Sequence, residues 1–190
     1  HHFAFLGRAE TIYREGEFAP GHRKYPRERL KGYASRLGAQ GIEPIVHLLA
    51  GQKLWQGDAW KLLQQEVMGF LNGLPRPCGL FVVDDSLGAV VLRAAASLGL
   101  KVPGDLAVIG FGNDPMYCLA AVPALSSIIY PGNEVGQLAA ELLARQLAGE
   151  DCEGVIERVP VSQVVPRESS DTIATSDPMV AAALAWIQQH

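Results

Sequence analysis

Cysteine is scarce in this sequence: three residues, Cys78, Cys118 and Cys152, odd in number and far apart. Neither a disulfide framework nor a CxxC metal site is supported, and a reducing cytoplasm is the simple reading. Positive charge is short as well, with 16 Lys and Arg against 20 Asp and Glu and a formal net charge of −4. Phosphate contacts need a basic surface, so nucleic acid is expected to meet another segment, not this one. No apolar run approaches the roughly 18 residues of a membrane span, and the start lacks a signal-peptide pattern.

The motifs of several enzyme classes are missing too. There is no GxxxxGK[ST] phosphate loop and no GxSxG nucleophile elbow, and Gly110-Phe-Gly112 lacks the third glycine of a dinucleotide fingerprint. A phosphorylated receiver domain needs an acidic pair after the first strand to hold magnesium, where this chain has Gly7-Arg8. His22 and His47 stand alone, without metal-ligand spacing. The sequence gives no reason to expect catalysis, a metal or a cofactor.

What is present is 48% hydrophobic residues over 190 positions, ample for a real core. The central stretch is Gly79-Leu-Phe-Val-Val-Asp-Asp85, answered by Leu106-Ala-Val-Ile-Gly-Phe-Gly-Asn-Asp-Pro115. Each apolar run stops abruptly at acidic or amide side chains, as a buried parallel strand does at the rim of a sheet. Around these lie further strands at Phe3 to Leu6, Glu43 to Leu49 and Leu125 to Ile129. Short edge strands are expected at Val155 to Val159 and Gln163 to Val165.

Helices are predicted from Pro26 to Gly38 or Gly41, from Asp58 to about Leu71, from Asp85 or Ser86 to Gly99, and from an Asn133 cap to Gly149. Repeated strand-helix-strand units imply an α/β fold, a doubly wound and mostly parallel sheet flanked by helices. Residues 1–166 form this domain. Residues 167–176, polar and rich in Ser and Thr, read as a linker, and residues 177–190 as the first helix of a further domain. The chain also starts almost inside a strand, which suggests an upstream part.

In open α/β sheets ligands bind beyond the carboxyl ends of the strands. Arg29, Asp84, Asp85, Asn113 and Asp114, with Trp55 and Trp60 on neighbouring stretches, fall at that edge. Carboxylates and amides can bridge adjacent hydroxyls while an aromatic face covers the C–H side of a ring, so a small carbohydrate suits these residue types. Plainer readings compete: Asp85 as a helix cap, Arg29 as a solvated charge, the tryptophans as packing, and Asn113-Asp114-Pro115 as a turn.

Arg29-Leu-Lys-Gly-Tyr33, the block from Pro77 to Phe111, and Ala124-Leu-Ser-Ser-Ile128 with the helix after Asn133 resemble the lactose- and galactose-repressor type sensor domain, a periplasmic-binding-protein-like type I fold. The tail Val165-Pro-Arg-Glu-Ser-Ser-Asp171 with Asp177-Pro-Met179 is similar to the xylose operon regulator branch, whose members carry an arabinose-regulator type DNA-binding domain at the C-terminus.

The resemblance implies a cytoplasmic transcription regulator that senses a sugar such as xylose and meets DNA only through that other domain. It also implies a homodimer, with strand or helix exchange. Arg29 matches the sugar-contacting arginine and Asp84 a position that binds sugar hydroxyls. Gly112 departs from the aspartate usual there, a role that Asn113 or Asp114 can take over. The strand at Leu125 to Ile129 and the helix after it are expected to dock on a neighbouring chain or stay displaced. The rival reading is the solute-binding component of a sugar transporter, which shares the fold.

Overall fold

A computed structural model describes residues 2–9, 25–49, 58–161, 163–172, 179–180, 183 and 186–187. The chain runs β1 (His2–Arg8), α1 (Tyr25–Gly38), β2 (Ile45–Leu49), α2 (Ala59–Gly73), β3 (Cys78–Val82), α3 (Asp85–Ser97), β4 (Leu106–Gly112), α4 (Pro115–Cys118), β5 (Ser126–Ile129), α5 (Gly132–Leu147) and β6 (Val164–Val165), with a 3-10 turn at Glu168–Ser170. One six-stranded sheet has the order β2-β1-β3-β4-β5-β6, parallel throughout except for the antiparallel β6. This is the doubly wound sheet that the sequence predicts, and no helix among the described residues is long and apolar enough to cross a membrane.

β1 turns outward to β2, and the chain then returns past β1 to β3, so the winding direction reverses between β1 and β3. That reversal opens a crevice at the carboxyl edge. The strands on either side are the most deeply buried: Ala4, Phe5 and Leu6 in β1, Leu80 and Val82 in β3, with Val83 just beyond. Phe5, Tyr33 of α1 and Phe81 form an aromatic cluster, Phe5 edge-on to Phe81 at 5.5 Å between ring centres. α3 buries Leu87, Val90, Val91, Ala94 and Ala95 and packs against α2 and α4, which makes it the pillar of that face.

Several expected boundaries shift for identifiable reasons. Asp84, in extended backbone at φ −150°, caps α3 by accepting from the Leu87 N–H at 2.8 Å, so neither Asp85 nor Ser86 is the cap. Asp58 precedes α2 but makes no capping bond; its carboxylate instead meets Lys61 at 3.1 Å in solvent. α5 starts one residue ahead of Asn133, with Pro131 at the cap position and no side-chain cap. Residues 155–161 form no strand, because nothing among the described residues pairs with them.

β5 does not leave the sheet as expected. It lies parallel to β4, with Ser126 and Ser127 fully buried. α5, by contrast, buries none of its residues despite its amphipathic pattern. The beginning of the segment read as a linker is tied down. The Ser169 hydroxyl donates to the Val108 carbonyl at 2.7 Å and accepts from the Ser126 N–H at 2.8 Å, and Arg167 donates to the Leu125 carbonyl.

The joint between α3 and β4 requires glycine. A Cβ on Gly110 would run into Asp85 Oδ1 and sit 3.2 Å from Leu125 Cδ2, whereas Gly69 on α2 has open space. Gly110→Ala is expected to lower stability by about 1–3 kcal/mol through overpacking, and Gly69→Ala to raise it by about 0.5–1 kcal/mol as a helix-propensity change. Denaturant midpoints of the two variants test this; equal effects at both positions would contradict the contact.

Candidate functional site

The edge beyond β1 and β3 gathers the side chains that can meet a ligand. Asp84 follows β3, and its Oδ1 accepts from the Ser86 hydroxyl at 2.6 Å and the Leu87 N–H at 2.8 Å, while Oδ2 accepts from Arg8 Nε at 3.3 Å. Burial is the largest single influence on its pKa and acts upward. The Arg8 charge and the three hydrogen bonds together outweigh it and hold Asp84 below its ordinary 3.8. Asp84 is therefore ionised and fixed in orientation. Arg8, at the end of β1, also donates from Nη2 to the Ser86 hydroxyl at 3.3 Å.

Arg29 approaches from α1. Its Nη1 donates to the Val83 carbonyl at 2.5 Å, and its guanidinium lies 3.5 Å from the Phe111 ring centre and 4.5 Å from that of Tyr25. Burial lowers the Arg29 pKa, opposed by Tyr25, Asp84, Asp85 and Tyr130. Arginine nevertheless stays cationic at physiological pH. Among the described residues, packing on two rings and bonding to one carbonyl leave most of its N–H groups unspent.

Asp85 points the other way, into the fold. It is 2% exposed, and its carboxylate accepts from the Ser127 hydroxyl at 2.6 Å and the Asp114 N–H at 2.8 Å. Gly112, at φ +129°, lets the backbone pass Asp85 Oδ2, which would stand 3.0 Å from a Cβ there. The Asp114 side chain caps α4 through the Met116 N–H. Asn113, at φ 55°, takes its N–H to the Ser127 hydroxyl and its Oδ1 to Arg167 Nη2 at 2.7 Å. Burial and Asp85 push the neighbouring Cys118 thiol up to about 11, which leaves it protonated.

The sequence-derived set thus splits. Arg29 and Asp84 share the open edge, while the carboxylate of Asp85, the side-chain oxygen of Asn113 and the N–H of Asp114 form a fastening network; the Asp114 side chain is exposed, with one oxygen on the Met116 N–H. Trp60 lies apart on α2, 43% exposed with Arg93 4.6 Å from its ring centre. It lines a groove of about 680 Å³ with α3 and α4 that reaches Arg8 and Ser86 at one end. Trp55 lies outside the described residues.

Sequence reasoning missed Arg8, Phe111 and Tyr130 at the edge. Arg8 and Phe111 both sit where an apolar strand run ends, the same signal that marked Asp84. Among the described residues no three His, Cys, Asp or Glu side chains are placed to hold a metal ion.

The depressed pKa of Asp84 has a sign in stability. The folded value lies below the unfolded one, so its contribution is complete above about pH 4 and is lost as pH falls through the folded value. Asp84→Asn should lose stability at neutral pH and show a shallower decline between about pH 4 and pH 2, read from urea midpoints across that range. An unchanged acid limb would remove Asp84 from the ion pair.

A family model described as periplasmic binding protein-like domain matches residues 1–170. The xylose operon regulatory protein of Escherichia coli (strain K12) is 31% identical over 133 residues, covering 70% of this chain and 34% of the relative. The structure of a xylose-binding transcription activator superposes with a TM-score of 0.77 at 28% identity, over 100% of this chain and 47% of that one. The lac repressor dimer bound to operator and an anti-inducer gives a TM-score of 0.67 at 24% identity, over 89% and 52%, a likeness of fold alone. The chain thus spans about a third of the length of the curated relatives it matches and about half that of the solved structures. With the match running from residue 1 to residue 170 across the whole parallel sheet, the chain belongs to the periplasmic binding protein-like domain family, in its type I fold.

Proposed function

We propose that this chain is the ligand-sensing module of a transcription regulator and takes a small sugar at the carboxyl edge of the sheet. One observation carries the reading: the Arg29 guanidinium, held against Phe111 and the Val83 carbonyl, lies within the electrostatic reach of the ionised Asp84, though not in an ion pair with it, at the point where the winding reverses. A cation, an anion and an aromatic face in one crevice are the groups that hydroxyls and a ring need. The relatives named for xylose regulation support the same class of ligand.

In this reading residues 1–166 supply one wall of a sugar cleft, 167–176 lead out of it, and 177–190 begin the DNA-binding domain. Ligand closes the two walls of the cleft and changes how the attached domains are presented to DNA. The regulator works in the cytoplasm as a homodimer. The exposed Met116 of α4, with Leu119 and Val122 just beyond it, gives it apolar surface to cover.

The test is thermal unfolding of the full-length protein against pentoses and hexoses. A sugar present at about a hundred times its Kd stabilises the native state by about 2.7 kcal/mol. For a domain of this size that raises the midpoint by roughly 5–10 °C. Arg29→Ala and Asp84→Ala should each abolish the rise. No rise with any sugar, or a rise untouched by either substitution, defeats the assignment.

A further inference from the structure

Two guanidinium groups reach the turn from Val83 to Ser86 from different elements. Arg29, on α1, donates to the Val83 carbonyl; Arg8, at the end of β1, donates to the next residue, Asp84, and to Ser86. An arginine has five N–H donors, and these contacts use two on Arg8 and one on Arg29. Among the described residues no carboxylate lies within ion-pair distance of Arg29, whereas Arg8 has Asp84.

The acceptors show the opposite balance. A carboxylate offers about four lone-pair positions, and Asp84 already accepts from Ser86, Leu87 and Arg8. Asp85 adds nothing to the edge, because it is buried with one oxygen on Ser127 and the other on Asp114. The Asn113 carbonyl oxygen is held by Arg167. Among the described residues the two arginines therefore keep roughly seven unspent N–H groups, against roughly one open position on Asp84 and the second oxygen of the exposed Asp114. Among the described residues the hydroxyls of Tyr25 and Tyr130 can both give and take, and the Ser86 hydroxyl already does both, donating to Asp84 and accepting from Arg8.

A sugar hydroxyl donates as well as accepts, and a ring bearing only hydroxyls leaves most of its protons without partners on such a surface. A carboxylate or a phosphate only accepts, and it matches a guanidinium with two parallel hydrogen bonds. We propose that the ligand is an anionic sugar, a hydroxylated carbon chain whose carboxylate or phosphate seats between Arg8 and Arg29. The proposal rests on the reading of this edge as a sugar site and names the class of sugar. Arg8 is then a specificity residue: its pairing with Asp84 and Ser86 fixes where its free N–H groups point.

The test is titration calorimetry on the full-length protein with matched ligands: D-glucose, D-glucuronate and D-glucose 6-phosphate, then D-xylose and D-xylonate, with inorganic phosphate alone. At least one anionic member is expected to bind about ten-fold or more tightly than its neutral parent, the gain of a charge-assisted pair. The advantage should shrink between about 50 mM and about 1 M salt.

Arg8→Gln should bring the anionic and neutral members towards equal affinity, and Arg8→Lys, which keeps the charge, should recover part of the difference. Thermal midpoints report whether either variant has lost its fold, and the uronate against the phosphate ester tells which anion the edge takes. Neutral sugars binding as tightly as their acids would overturn the proposal while leaving the sugar site standing. Inorganic phosphate binding as tightly as the sugar anions would overturn it by showing a bare anion site. Binding of none of these compounds would remove the sugar site and the proposal together.

Discussion

A buried carboxylate holds the middle of this molecule. Asp85, at the start of α3, receives the hydroxyl of Ser127 from β5 and the N–H of Asp114 from the loop after β4, so one side chain joins three segments of the sheet's carboxyl edge. Such a group is costly to bury unless its oxygens are satisfied, and here they are. Gly110 and Gly112 follow from it: the backbone of β4 passes so near the carboxylate that side chains there have no room. The open edge outside, with Asp84 and the two arginines, inherits its geometry from this inner fastening.

The same constraint separates what was legible in the sequence from what was not. The strands and their order of appearance could be read because apolar runs ending at polar residues have a local physical cause. The cap of α3 could not be assigned from composition, since Asp84 and Asp85 are chemically alike and only the extended backbone at Asp84 decides between them. The partner of Asn113, Arg167, could not be foreseen, because it lies 54 positions away and leaves no local mark. Residues 155–159, with three β-branched side chains, resembled a strand, but a strand exists only where another offers its hydrogen bonds.

Arg8 was overlooked for a different reason. In sequence it marked the absence of an acidic pair, and its own chemistry went unread. Once β1 is seen beside β3, the residue closing β1 has to face the residue following β3, and a guanidinium meets a carboxylate. The crevice is therefore made by strand adjacency more than by any motif. That is why the family can be recognised from sequence while the hydrogen-bonding character of the crevice waits for the fold.

The tail after β6 runs across the sheet as a strap. Ser169 is bonded to both β4 and β5, and Arg167 holds Asn113 at the loop next to the crevice. Residues 167–170 are thus wired to the rim of the crevice by hydrogen bonds to three neighbouring segments. A displacement of the Asn113 loop pulls on those residues directly, and a chain cut ahead of Arg167 would lose the connection and leave the Asn113 amide and the Ser126 N–H without their partners.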